Sequence, residues 1–156
     1  MKRISVAAVV GIFLLCLVGN ALSAENGTPA EAQAMVKKAI AYIKAVGQER
    51  AFAEISNLKG RFVDRDLYVV VYDLNGKCLA HGQNPKFLVG KDLIGMRDPD
   101  GKYYVKERVE LAKTKSQFWQ DYKFSNPLTK RIEPKSMYME RMGNLLVGCG
   151  VYKKQL

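Results

Sequence analysis

The chain has 156 residues and a formal net charge of +10, and its length suits a single domain. A basic surface attracts anions, which include small carboxylates, phosphates, lipid headgroups and nucleic acid. The lysines are scattered along the chain rather than clustered, and the N-terminal sequence predicts export. Both features argue against nucleic acid as a partner.

The first 24 residues have the pattern of a secretory signal peptide. Lys2 and Arg3 give a positive start, and an apolar run follows over residues 4–18. Small residues over positions 21–24 offer a cleavage site. We therefore predict a signal peptide over residues 1–24.

The remainder, residues 25–156, is predicted to be one domain that is periplasmic or secreted. The apolar run is shorter than the roughly 20 residues that a membrane-spanning helix needs. Leu15 precedes Cys16, whereas a lipid-anchored start would have a small residue there. An uncleaved N-terminal membrane anchor remains the alternative to a cleaved signal.

The mature sequence begins with the pattern of a helix. Thr28 can cap its start, with Pro29 at the first helical position. Apolar residues then recur at helical spacing at Met35, Val36, Ala39, Ile40, Ile43 and Val46. Gly47 interrupts this pattern, which then resumes toward Gly60. The pattern predicts one long helix with a kink or break at Gly47.

A β-hairpin is predicted next. Residues 67–73 are the clearest strand, because nearly all of them are apolar or aromatic. Asn75-Gly76 is the strongest short hairpin signal, and residues 78–82 are typical of a returning strand.

An irregular segment follows the hairpin. Residues 86–101 contain three glycines and Pro99, and we predict a loop with one helical turn over residues 88–94. Apolar spacing over residues 103–115 predicts an amphipathic helix.

Three strands close the chain, over residues 118–124, 133–141 and 145–152. Aromatic and β-branched residues bounded by Gly, Pro and Asn indicate each of them. The last strand is the most apolar, which favours a central position. The element order predicts an α+β domain with one antiparallel sheet of five strands.

The motifs of common catalytic and cofactor sites are absent from the sequence. No Gly-Lys pair has the upstream glycine of a phosphate loop, and the glycines at 148 and 150 have no helix after them. His81 is the single histidine and has no metal-ligand spacing around it. Cys78 and Cys149 lie among apolar residues, which raise a thiol pKa and leave it inert. We predict no catalytic residue, no metal and no cofactor, and so not an enzyme.

Several segments together resemble the single Cache domain family of bacterial extracytoplasmic sensor modules. They are residues 68–76 (YVVVYDLNG), 78–84 (CLAHGQN), 88–92 (LVGKD), 98–101 (DPDG), 121–127 (DYKFSNP), 133–139 (EPKSMYM) and 147–153 (VGCGVYK). The resemblance implies a PAS-like sheet of order 2-1-5-4-3 with the long N-terminal helix on one face. It also implies a helix and loop insertion between strands 2 and 3, and a ligand pocket between that insertion and the other face.

The resemblance further implies a small ligand, chiefly a carboxylate or an amino acid. Domains of this kind usually sit between two membrane helices of a chemoreceptor or kinase. Here the sequence ends at Leu156, directly after the last predicted strand. We therefore expect a stand-alone exported module that acts in signal transduction or chemotaxis through a partner, which could be a membrane sensor protein.

The predicted ligand site lies on the face of the last strand that carries its glycines. Gly148 and Gly150 are two residues apart and leave room there. Tyr122 and Phe124 share a face of the strand over residues 118–124, and His81 ends the hairpin near the irregular segment. Lys135 would supply the cation for a carboxylate.

Tyr138 is predicted to join Lys135 and Tyr122 as a hydroxyl donor. Strict alternation puts Tyr138 and Lys135 on opposite faces, so only a bulge or the start of the strand would let both reach the pocket. The competing interpretation is that the aromatic residues are plain core and Lys135 is solvated.

The implied strand order also bears on the two mature cysteines. It places one strand between those that carry Cys78 and Cys149, a separation of about 9.5 Å, beyond the roughly 7 Å that a disulfide allows. We predict free thiols. Two alternative functions remain open at this point: a structural or interaction protein with a filled pocket, and a membrane-anchored receptor fragment.

Overall fold

The computed structural model describes residues 26–153. The predicted signal peptide lies outside these residues. Within them, no helix combines the length and the apolar character that a membrane crossing requires.

Two helices form the N-terminal layer: α1 (Pro29–Val46) and α2 (Gln48–Ile55). Thr28 Oγ1 accepts a hydrogen bond from the Glu31 amide, and the Glu31 carboxylate accepts one from the Thr28 amide, which makes a capping box. Gly47 separates the helices with φ of 83°, a conformation that few residues other than glycine adopt. The predicted break is confirmed, although the helical segment ends at Ile55 rather than near Gly60.

The sheet contains six strands in the described chain. They are β1 (Val63–Asp64), β2 (Leu67–Asp73), β3 (Cys78–His81), β4 (Gln117–Ser125), β5 (Ile132–Met142) and β6 (Leu145–Tyr152). All pairings are antiparallel, with β3 on β2, β2 on β6, β6 on β5 and β5 on β4. This is the predicted order of five strands, to which the short β1 adds a pairing on β2.

The insertion between β3 and β4 carries two helices, α3 (Pro85–Leu88) and α4 (Tyr104–Thr114). The helical turn predicted over residues 88–94 is therefore wrong in position. Pro85 starts the turn earlier, and Gly90, with φ of 85°, follows it. Asp92 instead forms an isolated antiparallel bridge with Lys77 of the hairpin.

Each face of the sheet is covered by a different layer. The α1 face carries Leu67, Val69, Val71, Tyr138, Leu145, Val147, Cys149 and Val151, which pack with α1 and α2. The α4 face carries Tyr68, Val70, Tyr72, Phe118, Tyr122, Met137, Met139, Leu146 and Tyr152, which pack with α4 and the insertion. Alternation along the strands separates the two sets, as period-2 geometry requires.

Candidate functional site

A buried lysine lies at the centre of the α4 face. Lys135 of β5 is fully buried, and its side chain ends with Nζ 3.7 Å from the centre of the Tyr68 ring. Nζ also donates a hydrogen bond to Tyr152 Oη at 3.4 Å. No carboxylate in residues 26–153 lies within ion-pair distance of it. Burial, together with the charge of Arg108, lowers the Lys135 pKa to about 7.

The glycines of β6 make room for side chains of β5. A methyl group at Gly150 would lie 2.5 Å from Lys135 Cε and 2.9 Å from the Ser136 carbonyl oxygen. At Gly148 the corresponding neighbour is the Met139 sulfur. The space beside Gly150 is therefore occupied by the lysine itself, which reaches across β6 to Tyr68 of β2.

The Tyr152 hydroxyl and the Tyr68 ring contact the lysine head, and the two tyrosine hydroxyls are themselves linked. Tyr152 Oη donates to the Ser125 carbonyl oxygen at 2.6 Å, and it lies 3.1 Å from Tyr68 Oη. Because Tyr152 gives its proton to Ser125, its oxygen accepts from both Tyr68 and Lys135. Tyr152 has a role here that the sequence analysis did not assign.

A second buried cation reaches the same face from α4. Arg108 is fully buried, and its guanidinium carbon lies 5.0 Å from the Tyr72 ring centre and 5.3 Å from that of Tyr122. Arg108 Nε donates to Gln120 Oε1 at 3.1 Å, and Gln120 Nε2 donates in turn to the Tyr104 carbonyl oxygen at 2.8 Å.

The other two nitrogens of Arg108, Nη1 and Nη2, are buried and make no hydrogen bond of normal geometry within the described chain, although the Tyr122 side chain interacts with the guanidinium. Buried donors are nearly always paired, and a guanidinium edge of this kind can pair with two oxygens of one anion. Arg108 was not among the site residues predicted from the sequence. Its signal was a charged residue on the apolar stripe of α4, beside the buried Val105, Val109 and Ala112.

His81 is a neutral member of the same layer. Its side chain is buried, and its Nδ1 accepts hydrogen bonds from the amides of Gln83 at 3.1 Å and Asn84 at 3.0 Å. Burial lowers the His81 pKa to about 3, and the charges of Lys135 and Arg108 act in the same direction. With Nδ1 accepting, the proton of the neutral ring is on Nε2.

Aromatic rings line the rest of the α4 face. Tyr104 stacks on Tyr122 with ring centres 4.6 Å apart, and Phe124 lies 5.9 Å from Tyr122 and 6.1 Å from Tyr104. The His81 ring lies 6.2 Å from Phe124 and 5.2 Å from Tyr68.

The structure thus places six of the seven predicted site residues on one face. They are His81, Tyr122, Phe124, Lys135, Gly148 and Gly150.

The prediction that Tyr138 joins this group is wrong. Tyr138 packs in the α1 face, its ring lies 5.3 Å from Trp119, and its hydroxyl is within 2.9 Å of Gln117 Oε1 and 3.0 Å of Glu140 Oε2. The pairing of β5 with β6 runs without a shift from Lys135 to Met142. Without a bulge, alternation keeps Tyr138 opposite to Lys135.

Two surface pockets flank the buried cluster. One, of about 380 Å³, has Tyr104, Phe124 and Ser125 in its wall and Arg97 at its rim. The other, of about 250 Å³, is lined by Leu58, Val63, Tyr68, Gly82, Gln83, Pro127 and Lys130. Tyr68 therefore separates the second pocket from the Lys135 head.

The cysteines lie in different layers. Cys78 packs in the α4 face and Cys149 in the α1 face, where its Sγ is 3.8 Å from the Met35 sulfur. Strand β2 lies between the strands that carry them, as expected, and both are free thiols. Burial raises both thiol pKa values to about 12. Among residues 26–153, no three His, Cys, Asp or Glu side chains come together as a metal site would require.

A family model and a curated relative match this chain. The model for single Cache domain 2 matches residues 6–156. The methyl-accepting chemotaxis protein McpP of Pseudomonas putida is 30% identical over 111 residues, which cover 70% of this chain. They cover 20% of that relative, so the chain spans about a fifth of its length.

Two solved structures are similar in fold. A methyl-accepting chemotaxis protein from Vibrio parahaemolyticus has a TM-score of 0.68 and 21% identity, over 79% of this chain and 86% of that one. A Cache chemosensory domain described for carboxylic acid recognition has a TM-score of 0.69 and 24% identity, over 80% and 92%. The family match over residues 6–156 shows that the chain belongs to the single Cache domain 2 family of extracytoplasmic sensory domains.

Proposed function

We propose that this chain is an exported sensor domain that binds a small organic carboxylate beside Lys135 and Arg108. The observation that supports this most directly is that two fully buried cations, Lys135 and Arg108, lie on the α4 face and neither pairs with a carboxylate of residues 26–153. Burying a charge without an opposite charge is costly, and natural proteins keep such charges mainly where they serve a function.

The available donors fit a carboxylate. The free edge of the Arg108 guanidinium can hold two oxygens side by side, and Lys135 Nζ has donors left after its single bond to Tyr152. The His81 Nε2–H adds a neutral donor in the same layer. Each hydrogen bond to a charged group contributes about 1.5–3 kcal/mol.

The ligand's carbon chain would be short. Phe124, Tyr104 and Tyr122 pack ring to ring and form an apolar wall. A few carbon atoms can lie against this wall when side chains move slightly, whereas a long chain would have to separate the stacked rings. An amino acid is the second ligand class, although its ammonium group would face two cations.

The relatives support a sensory role. McpP is a chemotaxis protein by name, and a Cache domain of similar fold was solved with carboxylic acid recognition as its subject. We propose that occupancy of the site is passed to a partner, which could be a membrane sensor protein. We assign no catalytic step, because burial raises both thiol pKa values to about 12 and lowers the His81 pKa to about 3, which leaves weak nucleophiles and a weak base.

A structural or interaction role is the competing function, and one observation favours it. The Lys135 side chain fills the space beside Gly150 and rests on Tyr68, so the centre of the face is already packed. A membrane-anchored receptor fragment would use the same site and would differ only at the N-terminus.

Isothermal titration calorimetry distinguishes binding from the structural role. The purified domain is titrated with acetate, propionate, pyruvate, lactate and a set of amino acids. We expect a carboxylate to bind with a Kd well below millimolar, and Lys135→Ala and Arg108→Gln each to weaken it at least tenfold. Lys113→Ala is the matched control, since Lys113 lies on the exposed side of α4 and pairs with Glu110.

If no compound in the panel binds with a Kd below about 1 millimolar, the result favours the structural role. If Lys135→Ala folds and binds as well as the wild type, the assignment of Lys135 is wrong. Mass spectrometry of the exported protein tests processing, with an N-terminus near Glu25 expected. An intact N-terminus found only in the membrane fraction would indicate the anchored form.

A further inference from the structure

One carboxylate of the described chain, that of Asp66, acts electrostatically on Lys135, but it makes no ion pair with it. The ionisable groups that face Lys135 come from several elements: Asp66 just before β2, Tyr68 of β2, His81 of β3, Arg108 of α4, Tyr122 of β4, and Cys149 and Tyr152 of β6. Asp66 is buried, and its Oδ1 accepts from the Gly27 amide at 2.6 Å, while its Oδ2 has no hydrogen-bond partner in the described chain. Arg108 opposes a positive charge on Lys135.

This arrangement makes a charged Lys135 unfavourable until an anion arrives. We propose that a carboxylate bound at this site takes up one proton from solvent onto Lys135 Nζ, so that the domain responds to the carboxylate most strongly in acidic surroundings. This inference rests on the proposed function and specifies its regulation.

The reaction balances without any further reactant. A neutral amine, a carboxylate anion and one proton become an ammonium–carboxylate pair, in which one N–H bond forms at Nζ and none breaks in the ligand. The proton comes from water or buffer. The Arg108 guanidinium is charged before and after binding and so takes no part in the uptake.

Burial separates the pKa of Lys135 from those of His81, Cys149 and the tyrosines around it. Burial lowers the Lys135 pKa to about 7 and the His81 pKa to about 3. Burial raises the pKa of Cys149 to about 12 and moves those of Tyr68, Tyr122 and Tyr152 upward as well. Lys135 is thus the site residue whose charge changes between about pH 6 and pH 8.5.

The expected pH dependence follows from linkage. Below pH 7 Lys135 already carries its proton, so affinity is constant and binding takes up almost none. Above pH 7 the empty site is neutral at Lys135, and the affinity falls about tenfold per pH unit. A site whose groups must lose a proton before the ligand binds would show the opposite trend, with affinity rising as the pH rises.

Calorimetry of the wild type tests this directly, with pyruvate and propionate as probes. Each is titrated at about pH 6 and pH 8.5, in pairs of buffers whose ionisation enthalpies differ. We expect affinity to be about 30-fold weaker at the higher pH, with uptake near one proton there and near zero at pH 6. This measurement requires no variant, so a variant that fails to fold does not block it.

Lys135→Arg supplies the matched control, because it keeps a cation that does not titrate. We expect its affinity for pyruvate to be equal at both pH values, without proton uptake. Binding by the wild type with neither pH dependence nor uptake would overturn this inference and leave the proposed function standing. Uptake that persists in Lys135→Arg would place the proton elsewhere and also overturn it. If neither probe nor any other member of the panel binds at either of the two pH values, the proposed function itself is wrong.

Discussion

The two faces of the sheet are both buried, but they are built from different chemistry. The α1 face is aliphatic over most of its area, and its one tyrosine, Tyr138, turns its hydroxyl to Gln117 and Glu140 near the sheet edge. The strands of the α4 face bury Lys135 and His81 among four tyrosines, and helix α4 adds Arg108 and Tyr104 from above. The same strands supply both faces, so their backbone geometry does not explain the contrast.

The contrast indicates that one face mainly provides stability and the other mainly provides ligand binding. Aliphatic burial contributes about 25 cal/mol per Å², whereas an unpaired buried charge opposes folding. The α1 face is therefore expected to hold the domain together, and the α4 face to give up stability for binding. Substitutions that change either the stability or the carboxylate affinity, but not both, test this assignment.

The largest loss of stability is expected on the α1 face. Leu145 is buried at the end of β6 that lies farthest from Tyr152. Leu145→Ala leaves a cavity and is expected to lower the free energy of unfolding by about 2–5 kcal/mol in urea denaturation. Carboxylate affinity should change less than threefold while the domain stays folded. A loss of affinity as large as that of Lys135→Ala would contradict this assignment.

The opposite result is expected on the α4 face for Lys135→Met. Methionine keeps most of the volume and removes the charge, so stability at pH 7 should rise, by about 2–4 kcal/mol, while carboxylate binding is lost. The Lys135 pKa is lower in the folded chain than in the unfolded chain. At pH values between these two pKa values, the unfolded state therefore binds more protons than the folded state. Wild-type stability should therefore rise relative to Lys135→Met from about pH 7 to pH 10.

Urea denaturation of both proteins at several pH values measures this difference. The contributions of the other titrating groups cancel in the difference between the two proteins, because only position 135 differs. A wild type that is more stable than Lys135→Met at pH 7 would mean that Lys135 has a partner which compensates its burial.

A smaller effect is expected at Gly150, through the position of Lys135. A methyl group there would meet Lys135 Cε at 2.5 Å and the Ser136 carbonyl oxygen at 2.9 Å, and it should cost about 1–3 kcal/mol of stability. It should also weaken carboxylate binding about tenfold, because the lysine head is displaced from Tyr68 and Tyr152. Gly148→Ala is the control, since its methyl group would meet Met139.

Gly148→Ala should lose stability by a similar amount and keep its affinity. Equal losses of affinity in the two variants would show that the glycines act on packing in general. The coupling between Gly150→Ala and Lys135→Met, measured as a double-mutant cycle in the free energy of unfolding, should exceed about 0.5 kcal/mol.

The sequence predicted the strands and most of one face for a physical reason. Alternation has a period of two, so Tyr122 with Phe124, and Gly148 with Gly150, could be placed together from spacing alone. The same rule excluded Tyr138, and the prediction failed where it relied on a bulge that β5 does not contain. The strand order came from the family resemblance, since spacing within a strand carries no information about neighbours.

Arg108 could not be placed by the same reasoning. It reaches the α4 face from a helix in the insertion, and strand periodicity says nothing about the layer that covers a sheet. The occupant of the space beside Gly150 was missed for a related reason, because the direction of a long side chain such as Lys135 depends on its neighbours across the strands.

The smallest effect is expected at the cysteines, one of which lies in each face. A disulfide would contribute about 2–5 kcal/mol, so its absence predicts that a reductant changes the free energy of unfolding by less than about 0.5 kcal/mol. Cys78 and Cys149 are buried with pKa values near 12, and β2 lies between their strands. In the native protein neither thiol should react with iodoacetamide within minutes at pH 7. After unfolding without reductant, both should be alkylated, which mass spectrometry of the intact protein detects as two added groups. A mass without either group would show that the cysteines pair across β2, and the separation of the two faces at these positions would then be wrong.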